Sequence, residues 1–209
     1  MVTRLSLLNG ALQHLGPVRL TSETENRPDR KDLDAVYEDT KQAMLEAGIW
    51  FFALRTIRWD ADTDVEPEFG LPYAFSFPDD FVRIRHISPD ERQETEDQSY
   101  KREGDYLYSD YDTLYLTYVS NDAAYGGDLG KFTQLYADAF SADLAYRSGL
   151  PITKDGVTKA NLEITAARLL ARAKRKDAVD ERVKGKPLSS WVTSRRGFGS
   201  AKDQRREPT

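Results

Sequence analysis

The sequence predicts an α+β chain that is mainly helical. The expected layout is a helical bundle formed by N- and C-terminal helices, an inserted small antiparallel β domain, and an extended C-terminal tail. Three observations predict it. Apolar residues recur at steps of three and four near both ends of the chain, the period of a buried helix face. In the middle they switch to alternation, the period of a strand. The last segment has no apolar period and is basic. A length of 209 residues fits one domain with a smaller insertion. The expected divisions are 1–49 and 130–184 for the bundle, 50–129 for the β-rich insertion, and 185–209 for a flexible basic docking tail.

The elements follow in order. Leu5, Leu8, Leu12 and Leu15 form one helical stripe, with Thr3 as N-cap and Gly16-Pro17 as the stop. A second helix is expected from Pro28 to Gly48, because proline suits the first turn and glycine the C-cap. Its face is Leu33, Val36, Tyr37, Thr40, Met44 and Leu45. From Leu54 to Trp59 apolar and polar residues alternate, which predicts a strand, and 60–68 is an acidic loop. Tyr73, Phe75 and Phe77 alternate with small residues, and Pro78-Asp79-Asp80 reads as a turn. Val82 and Ile84 alternate with Arg83 and Arg85, and Ile87 extends that strand. Residues 88–99 read as a polar loop. Tyr100–Tyr108 and Thr113–Val119 read as two strands around a hairpin-sized gap, with Leu114, Leu116 and Tyr118 on one face. Phe132, Leu135, Tyr136, Ala139, Phe140 and Leu144 form a third helical stripe that is expected to stop near Gly149-Leu150-Pro151. A last helix is expected from Lys154 into the 180s. Its buried stripe is read as Val157, Ala160, Ile164, Ala167 and Ala171, with Leu169 and Leu170 beside it.

Composition narrows the chemistry. There is no cysteine, which removes disulfides, thiolate nucleophiles and zinc–sulfur sites. No apolar run approaches a membrane span, so a soluble protein made in a cytosol is expected. Only His14 and His86 are present, and they lack metal-ligand spacing. The acidic loop lacks the glycine and the spacing of a calcium-binding EF-hand. No Walker loop, dinucleotide fingerprint or serine elbow occurs. Asp79 and Asp80 could suggest a carboxylate hydrolase, but adjacent residues point apart, and a polar turn explains them. No catalytic, cofactor-binding or metal-binding residue is assigned, no cofactor is expected, and the chain is not expected to be an enzyme.

Charge is unevenly spread. Seven cations (Lys184, Lys186, Arg195, Arg196, Lys202, Arg205 and Arg206) face two anions, Asp203 and Glu207, from 184 onward. That tail carries +5 of a chain whose total is −5, so the first 183 residues carry −10. An acidic body opposes phosphate contact. The basic tail reads either as a solvated end or as a segment that seeks an acidic partner. Lys174-Arg175-Lys176 and the tail could touch DNA, and the run also reads plainly as cations favoured at a helix C-terminus.

Several segments taken together carry a resemblance. They are Ala11-Leu12-Gln13-His14-Leu15-Gly16, then Trp50-Phe51-Phe52-Ala53-Leu54-Arg55, then Tyr73 through Ile84 with its Phe77-Pro78-Asp79-Asp80 turn. Glu103-Gly104-Asp105-Tyr106-Leu107-Tyr108-Ser109, the Leu114–Val119 strand, Phe132 to Ala145 and Ser189-Ser190-Trp191 follow. Their order and spacing resemble the head-to-tail adaptor of tailed bacteriophages, in particular the tail tubular protein A family of short-tailed phages. The resemblance spans roughly 5–196 and lies in the ordered set, not in any one motif.

The resemblance implies a structural virion protein that forms a homo-oligomeric ring of about twelve subunits, closed by head-to-tail contacts. Such a ring joins the portal protein to the tail nozzle protein and lines the channel for passing double-stranded DNA without sequence specificity. It implies a place at the head–tail junction of the virion, with assembly in the bacterial host cytoplasm, and no membrane partner. Within that frame Trp191, Arg195, Arg196 and Phe198 read as a docking peptide for the portal or a neighbouring subunit, since Trp and Arg are favoured interface anchors. Trp191 packing back on its own bundle stays open. The alternative function is a DNA-binding or packaging accessory protein of a phage.

Overall fold

A capping box starts the first helix. In the computed structural model, Thr3 accepts from the Ser6 amide while the Ser6 hydroxyl accepts from the Thr3 amide, and α1 runs Arg4–Leu15. Gly16 ends it at φ 96°, where a side chain would be strained. The structure describes residues 1–65, 67, 70–94, 96 and 99–180.

Helix α2 runs Pro28–Ala47 and buries Leu33, Tyr37, Thr40, Met44 and Leu45. Its end is closed by Trp50, whose indole N–H donates to the Met44 carbonyl at 2.7 Å. Gly48 is extended rather than left-handed; it is small because the Trp50 ring lies against it. Helix α3, Gln134–Thr153, is buried on nearly every side from Tyr136 to Gly149 and packs against both α1 and α2. Trp50, Phe52 and Phe132 crowd around Tyr136, with ring centroids 4.6 to 4.9 Å away. Helix α4, Gly156–Asp180, adds Leu162, Leu169, Leu170 and Ala173 to the same apolar core.

Helix α3 does not stop at Gly149-Leu150-Pro151. It continues one turn, to a left-handed Lys154 whose N–H donates to the Leu150 carbonyl. Proline in a last turn loses one hydrogen bond but leaves the helix intact. Thr153 donates its hydroxyl to the Gly149 carbonyl at 2.7 Å. Gly149 is a packing residue, since a Cβ there would lie 3.1 Å from Leu162 Cδ1. Asp155 then caps α4, accepting from the Val157 and Thr158 amides at 3.0 Å.

The β region has six strands: β1 Leu54–Asp60, β2 Tyr73–Ser76, β3 Phe81–Ser88, β4 Lys101–Glu103, β5 Tyr106–Ser109 and β6 Thr113–Ser120. They form two antiparallel three-stranded sheets, β1-β6-β3 and β2-β5-β4. The stretch read as one strand, Tyr100–Tyr108, is a hairpin, β4–β5, turning at Gly104 with φ 56°. β5 and β6 do not pair; the chain passes from one sheet to the other between them. The two sheets share a core of Trp59, Phe75, Ile87, Leu107, Leu114, Leu116 and Tyr118, and the Trp59 indole donates to the Ser76 carbonyl at 3.0 Å. Val119, on the opposite face of β6 from Leu114 and Leu116, packs into the helical core instead. The α+β class therefore holds, with four helices and two small antiparallel sheets. Helices and sheets belong to one compact unit, Met1–Ala178.

Candidate interaction surface

Asp80 builds an ionic and hydrogen-bonded cluster. Turned inward from the loop before β3, its carboxylate accepts from the Tyr118 hydroxyl at 2.9 Å, from Arg55 Nη1 at 2.9 Å, and from the Ser120 hydroxyl. Burial alone would raise its pKa. The three donors outweigh burial and hold the carboxyl below its ordinary 3.8. Burial first, and then Asp80, push the Tyr118 hydroxyl in the opposite direction. The cluster ties β1, β6 and the β3 loop together. Asp79, next in chain, is exposed, so the two carboxylates do not share a site. Every partner of Asp80 donates to it, and the arrangement acts as a strut.

The two histidines also separate. His86 is buried in the sheet, its Nδ1 3.9 Å from Glu96 Oε1, and His14 is exposed beside an 840 Å³ groove. Among the described residues no group of three His, Cys, Asp or Glu could hold a metal ion, and no helix is long and apolar enough to cross a membrane.

What the structure offers is exposed surface on α4. Of the stripe read as buried, Val157, Ala160, Ile164 and Ala167 are exposed and Ala171 is half-buried. Val157 is 71% and Ile164 68% exposed. The buried stripe is Leu162, Ala166 and Ala173, with Leu169 and Leu170 half-buried beside it. The two stripes are centred about 150–160° apart around a helix of 3.6 residues per turn. The outer stripe is rimmed by Arg168, Arg172, Lys174 and Arg175, all exposed.

Helix α2 presents the opposite charge. Lys31, Ala35, Glu38, Asp39, Gln42 and Glu46 are exposed along its outward face, three carboxylates to one cation. Asp34, on the flank, is engaged by Arg4 at 3.1 Å and by Arg30. Of the cationic rim of α4 the sequence reading named only Lys174 and Arg175, within Lys174-Arg175-Lys176, and passed over Arg168 and Arg172. Trp191, Arg195, Arg196 and Phe198 lie outside the described residues.

No family model matches the chain, and no curated protein matches it.

Proposed function

We propose that this chain is the subunit of a phage head-to-tail adaptor, a structural virion protein that closes into a ring between portal and tail nozzle. The observation that carries the reading is α4: a 25-residue helix with two apolar stripes, of which the described chain covers one. A ring subunit divides its apolar surface between its own core and its neighbours. The finer arrangement belongs to the same reading: helices from both chain ends form one bundle, the sheets project from it, and 185–209 dock on the portal or on a neighbour. The acidic body suits a channel wall past which double-stranded DNA slides without sticking. The role is assembly and DNA passage during ejection, not catalysis, at the head–tail junction of the virion.

The test is the mass of the full-length protein in solution, alone and mixed with a portal ring. Capture as a closed ring on the portal is the expected outcome. A protein that ignores the portal overturns the reading. A second reading, a DNA-packaging accessory protein, draws on the cations of Arg168–Lys176. It requires duplex binding that weakens steeply with salt.

A further inference from the structure

We infer that the outward face of α4 docks on the outward face of α2 of the next copy, so that subunits join head to tail through two different surfaces. The inference rests on the ring reading above and names the surfaces that close it.

The first argument is apolar area. Val157 and Ile164 are among the most exposed large aliphatic side chains, and Ala160, Ala167 and Ala171 lie in line with them. Steps of three, four, three and four form a narrow seam, the geometry with which one helix packs along another. The alanines let a partner backbone approach closely along that seam.

The second argument is charge. From Arg168 to Lys176 the helix carries five cations and no anion, and within the 157–171 stripe the one acid is Glu163. A second α4 therefore has little to offer this rim. Duplex DNA would satisfy the arginines but not Val157 and Ile164. The α2 face answers the charge and leaves room for the seam. Ala35 gives a close approach, and Glu38, Asp39 and Glu46 supply carboxylates along the same side of a 20-residue helix. Complementary rims set orientation and partner choice more than affinity. Because the two faces differ, the contact is heterologous, the type that generates rings when its rotation closes.

The chain contains no cysteine, so thiols can be placed one at a time. Full-length Ala167→Cys and Gln42→Cys chains, mixed at high concentration and oxidised, are expected to give a mixed disulfide between copies. The same product is expected from Ala171→Cys chains mixed with Ala35→Cys chains, the antiparallel register that also sets Arg168 near Glu38. Adding Ile164→Asp to the α4 chain should remove the product while its melting curve stays unchanged. Arg168→Glu with Arg172→Glu should cut the yield about tenfold. Glu38→Lys with Asp39→Lys in the α2 chain should then restore it. Disulfides only between two α4 chains overturn the proposal in favour of a two-fold contact. Disulfides from none of the pairs overturn it outright. Duplex retention abolished by Arg168→Glu and Arg172→Glu, without a mixed disulfide, assigns the face to nucleic acid and overturns it as well. Portal capture is scored separately. Capture without the mixed disulfide rejects this contact alone, whereas the mixed disulfide without capture rejects the adaptor reading.

Discussion

Tyr136 lies at the centre of the helical core, fully buried, and its hydroxyl has no hydrogen-bond partner among the described residues. Burial raises its pKa, and it pushes the neighbouring Tyr37 up to about 12, so both phenols are neutral at physiological pH. A buried hydroxyl without a partner costs stability. Tyr136→Phe is therefore expected to leave stability unchanged or raise it by about 1 kcal/mol in urea titration. A loss of that size would show that the hydroxyl is bonded. Asp80 behaves in the opposite way. Its folded pKa is depressed, so the stability it contributes is present above its ordinary 3.8 and is lost as pH falls through the folded value. Asp80→Asn should cost about 1–3 kcal/mol at pH 7, because three donors then face a weaker acceptor. The gap between the two proteins should close as pH drops below that window, read from melting curves at several pH values.

Among the elements, α1 lies close against α3 at Gly10. A Cβ there would fall 2.5 Å from Ser141 Oγ, the same hydroxyl that donates to the Leu7 carbonyl. Gly10→Ala must push the helices apart, at a cost of about 1–3 kcal/mol. Adding Ser141→Gly should recover part of that loss. Helix α4 supplies a sharper contrast between its two faces. Leu162 is buried against Gly149, so Leu162→Ala should lower stability by about 2–4 kcal/mol. Ile164→Asp, two residues on, should change it by less than about 0.5 kcal/mol. Equal losses at both positions would mean that α4 is covered on both sides within one subunit.

For the molecule as a whole, the acidic body and the basic tail divide the labour of the proposed adaptor. Deleting 185–209 should leave the circular dichroism spectrum and melting temperature of the compact unit unchanged, and abolish attachment to portal-bearing heads. Normal attachment by the shortened protein would remove the tail from the docking role. The proposed α4–α2 contact between copies would be rimmed by exposed charges, so salt should weaken it within a range set by the roughly 8–10 Å screening length at 0.10–0.15 M.

The local signals were written in the sequence because each rests on neighbours in the chain. Thr3, Gly16 and Pro28 mark helix ends through their own backbone preferences, and the alternation of Leu114, Leu116 and Tyr118 requires nothing but the strand period. The α+β class followed from those periods. Pairing between strands did not, because β5 and β6 are close in sequence yet bond to different sheets, a choice made by the shared core around Trp59 and Leu107. Nor could the period of α4 say which of its two apolar stripes turns inward. That choice depended on what lay opposite, namely the bare backbone of Gly149 with Leu15 beside it, against which Leu162 packs while Ile164 stays outside. The sequence by itself determined the elements and their ends. Tertiary packing alone decided which faces are core and which are surface, because burial is a property of the partner as much as of the residue.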